Sequence, residues 1–138
     1  MRIGIDVGGT NLKAGLVDGD GKILTVCRTP VGRFASGQDF ARTLAELALK
    51  AAAQGGVRPG KLECVGIGIP GAVREGQVLY TCNLPLRDVP LSDWFRETLD
   101  VPVYLGNDAD CAAVGEALCG AGRGIRNFLL VTLGTGIG

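Results

Sequence analysis

No histidine occurs in the 138 residues. That gap removes the serine and cysteine triads and most zinc sites, all of which lean on imidazole. No sign of charge is in excess: fourteen basic residues face fourteen acidic ones, and no Lys/Arg run is present. A partner bound by neutralising phosphates along a nucleic acid is therefore not expected. No apolar run approaches the roughly 18 residues of a membrane span, so no membrane partner is expected either. The five cysteines, Cys27, Cys64, Cys82, Cys111 and Cys119, are odd in number and never spaced C-x-x-C. They indicate neither a disulfide framework nor a zinc ribbon, and read as small apolar residues in a reducing compartment. The opening Arg2-Ile3-Gly4-Ile5-Asp6-Val7 reads as a strand rather than a leader. The expectation is a soluble, cytoplasmic domain whose chemistry uses carboxylates, amides and backbone.

Glycine is what the sequence has in quantity, 23 of 138 residues, more than double the usual share of about 7%. The glycines are not periodic; they gather at the ends of apolar runs, where a chain turns sharply or a backbone approaches a ligand. Residues 2–7, 12–17 and 22–28 read as three consecutive strands separated by Gly8-Gly9-Thr10-Asn11 and Asp18-Gly19-Asp20-Gly21, an antiparallel meander. Ser36 followed by Asp39 marks a helix start, after which Phe40, Leu44, Leu47, Ala48 and Ala51 share one face until Gly55-Gly56. Residues 62–70 form a strand with Val65, Ile67 and Ile69 on one side. Cys64, Gly66 and Gly68 leave the other side nearly bare, so close packing is expected there. A hairpin at Arg74-Glu75-Gly76-Gln77, a loop carrying Asn83-Leu84-Pro85-Leu86, a helix over 91–99 and a strand over 101–105 follow. A small-residue helix then spans 109–119, with a hinge at 120–124 and a last strand at 128–133. The pattern is α/β.

Asp6-Val7-Gly8-Gly9-Thr10-Asn11-Leu12-Lys13 is the sharpest local signal. A carboxylate ending a strand suits Mg²⁺, directly or through water. Paired glycines let backbone N–H groups converge on a phosphate, with the Thr10 hydroxyl and the Lys13 charge beside them. The same residues would also make an ordinary Gly-Gly hairpin. Neither a G-x-x-x-x-G-K-[ST] nor a G-x-G-x-x-G pattern occurs, so P-loop and dinucleotide-binding mechanisms are not supported. Gly134-Thr135-Gly136-Ile137-Gly138 repeats the strand, glycine turn and hydroxyl at the other end, and the pair suggests two phosphate-gripping loops across a cleft. Asn107-Asp108 stands where a strand meets a helix. Asp108 is either the N-cap or a carboxylate that takes a hydroxyl proton and aims the oxygen at a phosphoryl group, and one side chain can serve both.

Asp6–Lys13, Gly66-Ile67-Gly68-Ile69-Pro70-Gly71, Asn83-Leu84-Pro85, Asn107-Asp108-Ala109 with Glu116, and Thr132–Gly138 together resemble the ROK family (repressor, open reading frame, kinase), and most of all its glucokinases and N-acetylhexosamine kinases. The resemblance implies a ribonuclease H-like lobe of the actin/hexokinase ATPase type over residues 1–120. Residues 121–138 would be the hinge, first strand and phosphate loop of a truncated second lobe. It implies ATP and Mg²⁺ as cofactors and phosphorylation of a hexose or N-acetylhexosamine. Asp108 would be the catalytic base, and Gly71, Asn83, Asn107 and Asp108 the sugar contacts. Gly8, Gly9, Thr10, Asn11, Lys13, Gly134, Thr135 and Gly136 would hold the ATP phosphates, with Asp6 at the metal. A homo-oligomer is the expected assembly. The family's Glu-Gly-Gly-His sugar motif, zinc site and adenosine pocket would lie beyond Gly138, so no zinc site is expected in this chain and these residues alone are expected to be inactive. Asp110 replaces the family's usual Asn and puts an additional charge beside the site. Two other readings are a sugar-responsive ROK regulator without its DNA-binding module and an iron–sulfur ATPase activator. The zero net charge disfavours the first, and the cysteine spacing the second.

Overall fold

Alternation decides the first layer of the structure, a computed structural model that describes residues 1–133. Ile3, Ile5 and Val7 in β1 (Arg2–Val7) and Leu12, Ala14 and Leu16 in β2 (Asn11–Val17) take every second position, and all are buried. A strand with one covered face requires this pattern. β1 pairs antiparallel with β2, and β2 with β3 (Ile23–Pro30), so the predicted meander is present. β4 (Cys64–Ile69) and β8 (Val103–Asn107) add in parallel on the other side of β1. The resulting five-stranded sheet runs in the order β3-β2-β1-β4-β8.

Helix α1 (Gly37–Gln54) covers the isoleucine face. The Ser36 hydroxyl accepts from the Asp39 N–H at 3.1 Å, as its spacing predicted, and the Gly55 N–H closes the far end on the Ala51 carbonyl. Phe40, Leu44, Leu47, Ala48 and Ala51 are all buried beneath it. A second sheet of β5 (Gly71–Arg74), β6 (Gln77–Thr81) and β7 (Arg87–Val89) stands beyond β4. Its first hairpin turns through Glu75 and Gly76, both left-handed with φ of 51° and 81°, as a two-residue hairpin turn demands. Helix α2 (Leu91–Arg96) packs chiefly against α1 and is tied to this sheet by its Ser92 N–H, which donates to the Gly76 carbonyl.

Three expectations shift. α2 ends at Arg96 rather than Leu99, although the Leu99 N–H still bonds to the Phe95 carbonyl, and β8 starts at Val103 rather than Val101, since Pro102 cannot donate to a ladder. β7 was not foreseen: Arg87-Asp88-Val89 is too short and polar for alternation to register. The last strand, expected over 128–133, does not form among the described residues; only Leu133 makes an isolated bridge. Leu129, Val131 and Leu133 lie exposed, and an apolar run takes strand form only against a neighbour.

The second face of the large sheet is bare over most of its width. Gly15, Gly4 and Gly66 stand opposite one another across β2, β1 and β4, with Val26 and Tyr104 at the two ends of the row. A Cβ built on Gly4 or Gly66 would meet nothing within 4 Å. The expected close packing occurs one step further along β4: a Cβ on Gly68 would lie 3.5 Å from the Cα of Asp108, where helix α3 (Asp108–Cys119) begins. α3 itself buries no residue.

Phe40 is completely buried between α1 and the sheet and its ring packs 4.7 Å from that of Phe34. Phe40→Ala is expected to lower unfolding stability by about 3–5 kcal/mol, read as a lower urea midpoint at unchanged slope.

Candidate functional site

Parallel pairing points β1, β4 and β8 the same way, so the loops leaving Val7, Ile69 and Asn107 open on one edge of the sheet. Ligand crevices of α/β sheets lie outside such carboxyl ends. Almost every residue singled out in the sequence arrives at this edge.

The β1–β2 turn is tight. The Gly8 N–H donates to the Asn11 carbonyl at 3.0 Å, and a Cβ on Gly8 would stand only 2.8 Å from that oxygen. Gly8 therefore shapes the turn and has already committed its own N–H. Gly9 and Thr10, both exposed, are the turn residues facing outward. On the ladder below, Asp6 and Lys13 are cross-strand partners, and Lys13 Nζ lies 3.0 Å from Asp6 Oδ2. Both side chains are about half exposed, so the pair contributes little stability, about 0–1 kcal/mol. Lys13 is held over the carboxylate and not in open water. Arg28 stands opposite Lys13 on β3 and has no ion-pair partner among the described residues. Sequence reasoning missed Arg28; only the β2–β3 register places it beside Lys13.

Asn107 rather than Asp108 is the N-cap of α3. Its Oδ1 accepts from the N–H groups of Ala109 (2.9 Å) and Asp110 (3.2 Å), and its Nδ2 donates to the Gly71 carbonyl at 3.0 Å. Gly71 and Asn107, both expected at the sugar, are thus joined, with one Nδ2 hydrogen of Asn107 left over. Asp108 is the first residue of the helix, half-buried, with Oδ1 3.0 Å from the Ala109 N–H. An amide already holds the cap, so the Asp108 carboxylate is not needed there. Burial pushes the Cys111 thiol up, and the Asp110 and Asp108 carboxylates push it further.

Two hollows meet this edge. One of about 790 Å³ brings Asp6, Lys13, Arg28 and Asp108 together above the glycine row. The other, of about 530 Å³, is walled by Gly9 and Thr10, by Arg33 and Phe34, and by Asn83 with Pro85. Asn83 is placed by its neighbours: Leu84 and Leu86 are buried, and the Thr81 hydroxyl donates to the Leu84 carbonyl. Asn11 opens β2 at the base of the turn. Gly134, Thr135 and Gly136 lie outside the described residues. For Mg²⁺, an exposed carboxylate with one oxygen not engaged by Lys13 suits an ion that keeps most of its waters. Among the described residues no group of three or more His, Cys, Asp or Glu side chains could hold a metal by itself.

A half-covered sheet with glycine turns and carboxylates at its parallel edge has the architecture of an actin/hexokinase-type ATPase lobe. The ROK family model matches residues 2–138, and the chain belongs to that family. A glucokinase of Thermotoga maritima is 39% identical over 139 residues, covering 99% of this chain and 42% of its own length. The crystal structure of a ROK family glucokinase from Streptomyces griseus in complex with glucose and AMPPNP superposes with a TM-score of 0.87 at 36% identity, over 99% of this chain and 42% of that one. The polyphosphate/ATP-glucomannokinase of Arthrobacter sp. strain KM gives 0.86 at 35% identity, over 99% of this chain and 56% of that one. The chain thus spans 42% of the length of the glucokinases it matches.

Three outcomes test this geometry. Asn107→Ala removes the cap and the bond to Gly71, and is expected to cost about 1–2 kcal/mol in denaturant unfolding. Asp108→Asn is expected to stay within about 0.5 kcal/mol of wild type. Asp110→Asn should lower the Cys111 thiol pKa, speeding its alkylation by iodoacetamide at mildly alkaline pH. An unchanged alkylation rate would remove Asp110 as a cause.

Proposed function

We propose that the protein carrying this chain is an ATP-dependent kinase that phosphorylates a hexose or an N-acetylhexosamine. Residues 1–120 form its N-terminal lobe, and residues 121–138 lead into a second. One observation carries the reading: Asp108, at the start of α3, shares a hollow with the Asp6–Lys13 pair at the edge where the parallel strands end. The kinship with ROK glucokinases supplies the reaction class.

In this mechanism the sugar lies against Gly71, Asn83 and Asn107, and its hydroxyl faces Asp108. The carboxylate accepts the hydroxyl proton as the oxygen attacks the γ-phosphorus of ATP; the new P–O bond forms as the bond to the β-phosphate oxygen breaks, and ADP leaves. Phosphoryl transfer asks mainly for positioning and charge stabilisation. Gly9, Thr10 and Asn11 supply donors to the phosphates, Gly8 the turn that carries them, and Gly134, Thr135 and Gly136 the opposing loop. Lys13 exchanges its partner Asp6 for phosphate oxygens, freeing that carboxylate for the metal. Asp6 is the residue that would hold Mg²⁺, which would supply charge neutralisation on the phosphates. The reading places the enzyme in the cytoplasm as a homo-oligomer.

A panel of hexoses and N-acetylhexosamines, assayed with ATP on the complete polypeptide, tests the proposal. One of them should be phosphorylated, and Asp108→Asn should lower kcat about 10²–10⁴-fold with unfolding unchanged. Near-normal turnover in that variant would remove Asp108 from the chemistry.

A further inference from the structure

Arg33 belongs to no motif singled out in the sequence, yet its place is closely set. Before it, the Val31 N–H donates to the Thr10 carbonyl at 3.0 Å, tying the loop after β3 to the β1–β2 turn. Gly32 then takes a left-handed conformation with φ of 65°, which reverses the chain at low cost only for glycine. After it, the Phe34 ring packs on the buried Phe40. Arg33 is thus carried on a short bridge pinned at both ends, facing the hollow it shares with Gly9, Thr10 and Asn83.

The charge of that hollow is one-sided. Among the described residues, Arg33 is the only charged one lining it. Among the described residues no carboxylate pairs with Arg33. The neighbouring hollow, by contrast, holds the carboxylates of Asp6 and Asp108. A guanidinium can only donate. A sugar hydroxyl offers it a single neutral acceptor, whereas a phosphate brings opposite charge and is met by paired N–H groups in matching geometry. The volume, about 530 Å³, is in the range that small ligands occupy.

We propose that this hollow is an anion subsite on the acceptor side of the turn, in which Arg33 holds the phosphoryl group of the phosphorylated sugar once that group has moved away from Asp108 in the neighbouring hollow. The inference rests on the kinase reading above and adds to it a residue that discriminates product from substrate. The free sugar has no charge for Arg33 to meet, and the phosphorylated sugar does. Arg33 therefore sets how long product is retained, not how tightly the sugar first binds.

Calorimetric titration of the complete polypeptide with glucose and with glucose 6-phosphate tests this. Arg33→Gln is expected to weaken glucose 6-phosphate about tenfold or more, the loss of a charge-assisted hydrogen bond, and to leave glucose affinity unchanged. Arg33→Lys should recover part of the loss, because it keeps the charge but not the fork. The salt dependence of glucose 6-phosphate binding should flatten in Arg33→Gln. Equal weakening of both ligands, or no change in either, would overturn the assignment. Wild-type protein that binds glucose but not its 6-phosphate would overturn this inference alone. Wild-type protein that binds neither would also overturn this inference, and only if it phosphorylates no sugar of the panel would the kinase reading fall with it.

Discussion

Asp6, Gly71 and Asp108 come from distant parts of the chain, and they meet because β4 lies parallel to both β1 and β8. Parallel pairing needs a long crossover, and α1 provides it between β3 and β4 with its apolar face buried on the isoleucines and valines of the sheet. Were β4 antiparallel to β1, Ile69 and Gly71 would open at the other end of the sheet. The burial of one sheet face thus does more than stabilise the lobe. It directs three strand ends, with their glycines and carboxylates, toward the same volume of solvent.

Much of this was legible in the chain. Period-two alternation marked β1, β2 and β4, and the Ser36–Asp39 spacing with the following 3.6-residue pattern marked α1 at both ends. These signals are local, and burial on one face reinforces each. What depends on register or on partners was not legible. Arg28 joins Lys13 only through the pairing of β2 with β3. The N-cap fell to Asn107 because its amide could serve the helix and the Gly71 carbonyl together, a choice propensity does not see, since Asn and Asp cap about equally well. Residues 128–132 have the composition of a strand without a strand's hydrogen bonds. Of the site residues, Asp6, Lys13 and Asp108 were expected together and do line one hollow. Arg33 gave no signal, because a single arginine in a loop carries no periodicity.

The two hollows differ in a way that suits a transfer reaction. One combines cations with carboxylates and the other has a cation alone. The β1–β2 turn separates them, its Gly8 N–H and Thr10 carbonyl both engaged in backbone bonds that hold its shape. A turn held in this way with donors facing outward is preorganised, so under the proposed kinase reading little reorganisation would accompany the movement of charge past it.

Asn107 spans two bodies. Its oxygen holds the first turn of α3 and its nitrogen holds the first residue of β5. A planar amide of this kind acts as a tie-rod, joining the β5–β7 sheet to the helix that begins with Asp108 without crossing the core. The start of the helix that carries Asp108 is in this way fixed to the sheet that carries the Asn83 loop by one side chain.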